Sequence, residues 1–437
     1  MMNEQFLKQL FSTALFASLF SFAVEGLTEQ PKFVGTGSCS SSNCHGSVHP
    51  RKGTNVLQNE YVTWLKHDKH SRAYSVLMKS DAKRMAALLN LKDPTKEPLC
   101  LKCHSTYVPD QSRRGEKFTP DDGVSCESCH GAAERYLETH TVEGATHEEN
   151  IKNGLTDTVT LTKRATLCLS CHYGNGDAWV SHDLYGAGHP RLRFELDTFG
   201  VLEPKHWVVD DDYLKRKAPY IPLSAWLIGQ EAHAECVINS LLDPGIAKRG
   251  IFPELSLFDC YSCHHSLTEE QWKSRSYGGE PGRLALNLAP LVMLQQVLGA
   301  LDASLGEEFG NLVASLQTSY QQDGAEDELK NLQTMLSTRV RPLVLKANTS
   351  ESVSQDIMRR LATFGAAAQD PKYEVAEQIG MGIQAAMATS PRLAKQYKTS
   401  LDQLFATLAN SKAFNAERFI AAAAKLSAML SGKPPHS

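Results

Sequence analysis

The chain has 437 residues, enough for two domains of ordinary size, with a formal net charge of -4 and 22% charged side chains. Both signs are mixed along the sequence, with no basic stripe of the kind that grips a phosphate backbone, so nucleic acid is not an expected partner.

Residues 1–25 read as an export signal. Lys8 lies near the start, an apolar run extends from Leu10 to Val24, and the small residues Ser21 and Ala23 stand near a cleavage point. A membrane anchor is the alternative, but a spanning helix needs about 20 apolar residues and this run is shorter. No later segment is long enough to span, so the expected location is the periplasm. Eleven cysteines in an exported chain ordinarily suggest disulfides. Their spacing points elsewhere.

The first pair, Cys39 and Cys44, is separated by four residues and followed by His45. Four tighter Cys-x-x-Cys-His units follow: Cys100, Cys103 and His104; Cys126, Cys129 and His130; Cys168, Cys171 and His172; Cys260, Cys263 and His264. Cys-x-x-Cys-His is the attachment signature of haem c. Two thiols must reach the vinyl groups on one porphyrin edge while the next residue places an imidazole on the iron, so one turn has to carry all three. The first site is read as a looser form of the same unit, giving five haems. Zinc is the competing reading, yet a zinc knuckle does not require a His after every second Cys. For Cys39 and Cys44 a local disulfide is the other alternative.

The five proximal histidines leave eleven of the sixteen to close the second axial faces. In chain order, His49 precedes Pro50, four residues after His45. His67 and His70 lie in a segment, Glu60 to Leu77, whose apolar residues recur at helical spacing, which predicts one helix with both imidazoles on one face; His70 is the preferred ligand. His140 lies about two and a half helical turns beyond His130, which points it at a neighbouring haem. His182 and His189 bracket a Gly-rich loop stiffened by Pro190, and His206 sits between Lys205 and Trp207. The metal set is therefore His45, His104, His130, His172 and His264 with His70, His140, His182, His189, His49 and His206. His147, His233 and His265 are weaker candidates, and His436 is none. Cys236, one helical turn from His233, is read as a core residue. Asp210 to Asp212 followed by Lys215 to Lys217 reads as a solvated loop.

The fold expected is mainly α: a loop-rich multihaem cytochrome domain over 26–282, followed by an antiparallel helix bundle over 283–437. The stretch Tyr277 to Gly282 marks the boundary. Before it, Gly, Pro and short polar segments prevail, and haem has to supply the missing apolar bulk. After it come apolar residues at helical spacing, such as Leu291, Leu294 and Leu298, or Ile379, Ile383 and Met387. Asp370-Pro371 and Ser390-Pro391 look like N-caps with Pro at the first helical position. The bundle is read as a buttress packed on the haem layer rather than as a docking platform.

Together, Gly123-Val-Ser-Cys-Glu-Ser-Cys-His-Gly131, the segment carrying His70, the block at His189-Pro-Arg-Leu and Asp259-Cys-Tyr-Ser-Cys-His-His265 resemble the cytochrome c-554 family. That family is related in haem arrangement to hydroxylamine oxidoreductase and pentahaem nitrite reductase. The resemblance implies closely stacked haem pairs passing single electrons between redox partners, a membrane-bound respiratory complex among them. It departs from the family at the wider first site. No Cys-x-x-Cys-Lys is present, so the lysine-ligated haem of nitrite reductases has no counterpart. An electron carrier is the expected function; the alternative is an oxidoreductase acting on a small nitrogen or sulfur compound at one open iron.

Overall fold

The computed structural model describes residues 30–54, 56–217, 219–248, 253–264, 284–320, 325–368 and 371–432. The expected export segment, His265, the boundary stretch Tyr277 to Gly282, Asp370 and His436 lie outside these residues. Among the described residues the chain is mainly α, with no strand and two isolated bridges, Phe33 with Arg114 and Phe258 with Leu286.

The N-terminal part consists of short helices joined by loops: α1 (Glu60–His67), α2 (Ser80–Leu88), α3 (Pro98–His104), α4 (Cys126–His130), α5 (Leu161–His172), α6 (His182–Gly186) and α7 (Leu196–Leu202). Local chemistry ends them early. Asp68 stops α1, because its carboxylate accepts the His70 amide and starts a separate 3-10 turn, Lys69–Arg72. The expected single helix across His67 and His70 is thus two elements, and the two histidines do not share one helical face. His140 likewise sits on a 3-10 turn, Thr139–Thr141, rather than on a helix continuing from His130. The apolar cluster in this part is small, made by Ala165, Leu169, Phe194 and Leu196 with Ala225 and Ala232.

The large core lies further along the chain. Helix α8 (Pro222–Leu242) begins with Pro at its first turn and is buried almost all round, including Leu223, Trp226, Leu227, Ile238 and Leu241. A helix apolar on every side belongs in an interior. One side of it packs on α5 and α7. The other packs on α9 (Ala289–Leu301), α11 (Glu326–Met335), α12 (Arg341–Leu345) and α14 (Tyr373–Met387). With α10 (Ala303–Ser319), α13 (Glu351–Ala367), α15 (Pro391–Ala406) and α16 (Ala416–Leu430), these helices bury Leu291, Leu294, Leu361, Ile379 and Phe419 in one continuous core. Ser390 caps α15 through the Leu393 amide, whereas α14 begins two residues after Pro371, at Tyr373. No described helix is long and apolar enough to cross a membrane.

Helix α8 is therefore the spine on which both parts rest. Its Trp226 is fully buried and meets Gly382 of α14 so closely that a Cβ there would lie 2.5 Å from the indole. Trp226→Ala is expected to cost about 3–5 kcal/mol in denaturant unfolding of the holoprotein, whereas Val201→Ala, at a site 62% exposed, should leave the midpoint within error.

Candidate haem sites

The attachment motifs fold as tight helical turns. Cys100 to His104 occupies α3, Cys126 to His130 is α4, and Cys168 to His172 is the last turn of α5. Residues i, i+3 and i+4 of a helix share a face, so both thiols and the imidazole of each unit face the same way. At Cys260 the turn is 3-10 and the His264 amide returns to the Cys260 carbonyl at 2.8 Å. The wider first unit closes as a loop in which the His45 amide bonds the Cys39 carbonyl at 3.0 Å, absorbing the two extra residues. Gly46 makes that closure possible, since a Cβ there would overlap the Ser40 carbonyl. All eleven thiols are free. Burial pushes the Cys39 thiol up to about 11 and the Cys126 thiol up to about 12. Among the described residues no three or more His, Cys, Asp or Glu converge as a zinc site.

Each proximal imidazole is faced by a second one. The ring centres of His45 and His140 are 6.2 Å apart, those of His70 and His172 6.1 Å, and those of His104 and His189 6.4 Å. His130 and His206 stand at 6.3 Å, as do His182 and His264. A metal gripped between two imidazoles, with metal–nitrogen bonds of about 2 Å, holds the ring centres roughly 6 Å apart. Rings in plain contact also reach this distance, as Tyr185 and His189 do at 6.3 Å; what marks the five pairs is that each sets a second imidazole opposite the histidine of an attachment unit. The donor set therefore fits five haem irons, each taking two protein ligands. His49 is exposed and faces no ring among the described residues, so five distal candidates remain where the sequence offered six.

Hydrogen bonds aim these rings. Nδ1 of His104 bonds the Ala73 carbonyl at 2.9 Å, that of His140 the Tyr136 carbonyl at 2.8 Å, and that of His189 the Pro190 carbonyl at 2.8 Å. His206 uses the Pro204 carbonyl at 3.3 Å. A carbonyl only accepts, so Nδ1 must carry the proton and Nε2 keeps its lone pair for a metal. His45 and His70 use carboxylates instead, Glu60 and Asp68, each at 3.0 Å. The bond to Asp68 raises the basicity of His70, which strengthens it as a donor. Burial holds His130 down at about 4, and His233 equally. The shift alone therefore does not mark a ligand; the facing ring does.

The thiols also reveal which sites are neighbours. Cys39 of the first site lies within electrostatic reach of Cys126 of the third, and Cys129 of the third within reach of Cys168 of the fourth. Cys171 of the fourth reaches the second, its Sγ donating to the Lys102 carbonyl at 3.8 Å. Tyr185 then stacks edge-on to His189 at 6.3 Å while sensing Cys260 of the fifth. The spatial order is first, third, fourth, second, fifth.

Residues 38–131 match the family model for cytochrome c554 and c-prime. That stretch, which carries the first three attachment units, is similar to this family, and the similarity supports a cytochrome c-554-like multihaem protein with haem c and a cytochrome role in electron transfer. No curated protein and no solved structure matches the chain.

Glu127, inside the third attachment unit, escaped notice in the sequence because an acidic residue between two cysteines looks like a solvated spacer. It is buried, and its carboxylate accepts the amides of Val34 and Gly35 at 2.8 Å and of Ala133 at 2.9 Å, tying the first site to the third. Glu127→Ala would orphan three buried donors and is expected to cost about 3 kcal/mol or more. Thermal unfolding of the holoprotein checks this, with the exposed Glu138→Ala as the unchanged control.

Proposed function

We propose that this protein is an exported pentahaem cytochrome c that carries electrons between other redox proteins, with all five irons six-coordinate. The single observation carrying this reading is the set of five imidazole pairs at 6.1–6.4 Å. His45, His104, His130, His172 and His264 are the proximal ligands, paired in that order with His140, His189, His206, His70 and His182. The cysteine pairs from Cys39 and Cys44 to Cys260 and Cys263 make the thioether links. Bound haem supplies reversible one-electron chemistry at iron. The chain's part is to fix the axial rings, to exclude water with Phe194 and Phe199 packed on His172, and to tune each site through its Nδ1 partner.

A second imidazole over every proximal one favours the carrier over an oxidoreductase with an open iron, because no proximal His is left facing free space. The apolar run near the N-terminus supports export to the periplasm, where redox proteins, a membrane-bound respiratory complex among them, would be the partners.

The ring planes make the reading testable. The pairs His45–His140 and His182–His264 are near parallel, at 13° and 28°, whereas the other three cross at 82–88°. Parallel axial planes split the iron dπ orbitals and crossed planes leave them nearly degenerate. The electron paramagnetic resonance spectrum of the oxidised protein should therefore contain two rhombic low-spin signals and three strongly anisotropic ones, and the reduced protein should not bind carbon monoxide. One full equivalent of high-spin, carbon-monoxide-binding iron would instead establish an open site and the oxidoreductase reading.

A further inference from the structure

The segment after α6, from Ala187 to Glu195, serves two haem sites at once. His189 faces His104 of the second site, and five residues later Phe194 packs its ring on His172 of the fourth at 5.5 Å. These two sites meet where the Cys171 thiol reaches the Lys102 carbonyl at 3.8 Å. The segment has no regular structure of its own, so something else must hold it still.

Its near end is held by Arg84 of α2, which donates to the Ala187 carbonyl at 3.2 Å, and by Gly188, whose φ of 110° only glycine adopts readily. Its far end is held from the C-terminal bundle. Glu377 of α14 is buried, with a side chain only 7% exposed, and receives Arg191 at 2.9 Å and Arg193 at 3.2 Å. Arg191 also reaches Glu374 at 3.3 Å and lies over the Tyr373 ring, while the Tyr373 hydroxyl donates to Glu377 at 3.3 Å. Next to it, Gln378 donates to the Phe194 carbonyl at 3.4 Å. A buried carboxylate between two guanidinium groups tolerates neither loss of charge nor a shift of its partners, so the segment is locked to α14 on both sides of Leu192.

We propose that Glu377 is a positioning residue for the second and fourth haem sites: through Arg191 and Arg193 it clamps the strap that presents His189 to one iron and fixes the imidazole of His172 for the next. The bundle thereby sets ligation and potential at two neighbouring haems without touching either. This rests on the ligand pairs given above.

The test uses the full-length holoprotein. Glu377→Gln keeps the volume and an acceptor for Tyr373 but removes the charge. It is expected to shift the balance between bound and released His189 roughly tenfold or more toward release, as loss of a charge-assisted hydrogen bond implies. Carbon monoxide should then bind one of the five reduced haems, and the potential of a second should move. Glu377→Asp, which keeps the charge, should restore most of the low-spin state. Glu231→Gln breaks a different buried ion pair with the bundle, Arg341 at 2.9 Å, and should leave all five irons unchanged. If Glu377→Gln does not accumulate, Arg193→Met is read the same way, since that side chain is 52% exposed and its loss spares the core. A five-haem Glu377 variant that is wholly low-spin with unchanged potentials would overturn the clamp, as would the same high-spin signal in Glu231→Gln. High-spin iron already present in the parent protein would instead overturn the ligand pairs themselves.

Discussion

Everything in the N-terminal part follows from one requirement: ten imidazoles must be held in five facing pairs with their Nε2 atoms free. An imidazole left to itself packs edge-on against an aromatic ring or donates to whatever carbonyl is near. Here each of six rings has its Nδ1 committed, four to backbone and two to carboxylates, which fixes both tautomer and direction. Short helices and tight turns are the consequence, because a ligand and the carbonyl that aims it come from the same few residues or from the next turn. A loop-rich fold with little apolar core of its own is then sufficient, provided the cofactor fills the space between the pairs.

The bundle answers a different requirement. Its core is one continuous apolar cluster, and α8 carries that cluster's support into the other part by packing on α5 and α7. Buried ion pairs add to this contact and extend beyond it. Arg341 joins α12 to Glu231 of α8, and where α8 does not reach, Arg191 and Arg193 join the strap to Glu377. Such pairs add less to stability than apolar contacts of the same volume would, but they tolerate only one geometry. That is the property a ligand-bearing loop needs.

Much of this was legible in the sequence. The thiol and imidazole spacing is dictated by covalent chemistry within one turn, so it can be read without knowledge of the fold, and the structure sets a second imidazole opposite each of the five histidines read that way. Amphipathic spacing likewise exposed the bundle, since its helices bury one face over many turns. Distal ligands are a long-range matter. His206 and His49 looked alike in the sequence because nothing local distinguishes a histidine whose Nδ1 meets the carbonyl two residues back from one exposed before a proline. The break at Asp68 was hidden because apolar periodicity continues through it, whereas the deciding contact is a single side chain capping His70. The spatial order of the sites was beyond reach, since it depends on contacts such as Cys171 meeting the Lys102 carbonyl from 69 residues along the chain.

The most direct test of the central claim is the mass of the mature protein, purified from a host competent for cytochrome c assembly. The polypeptide plus five covalently bound haems is the expected result. A colourless product of apo mass, or a product lacking the haem at Cys39 and Cys44, would contradict it.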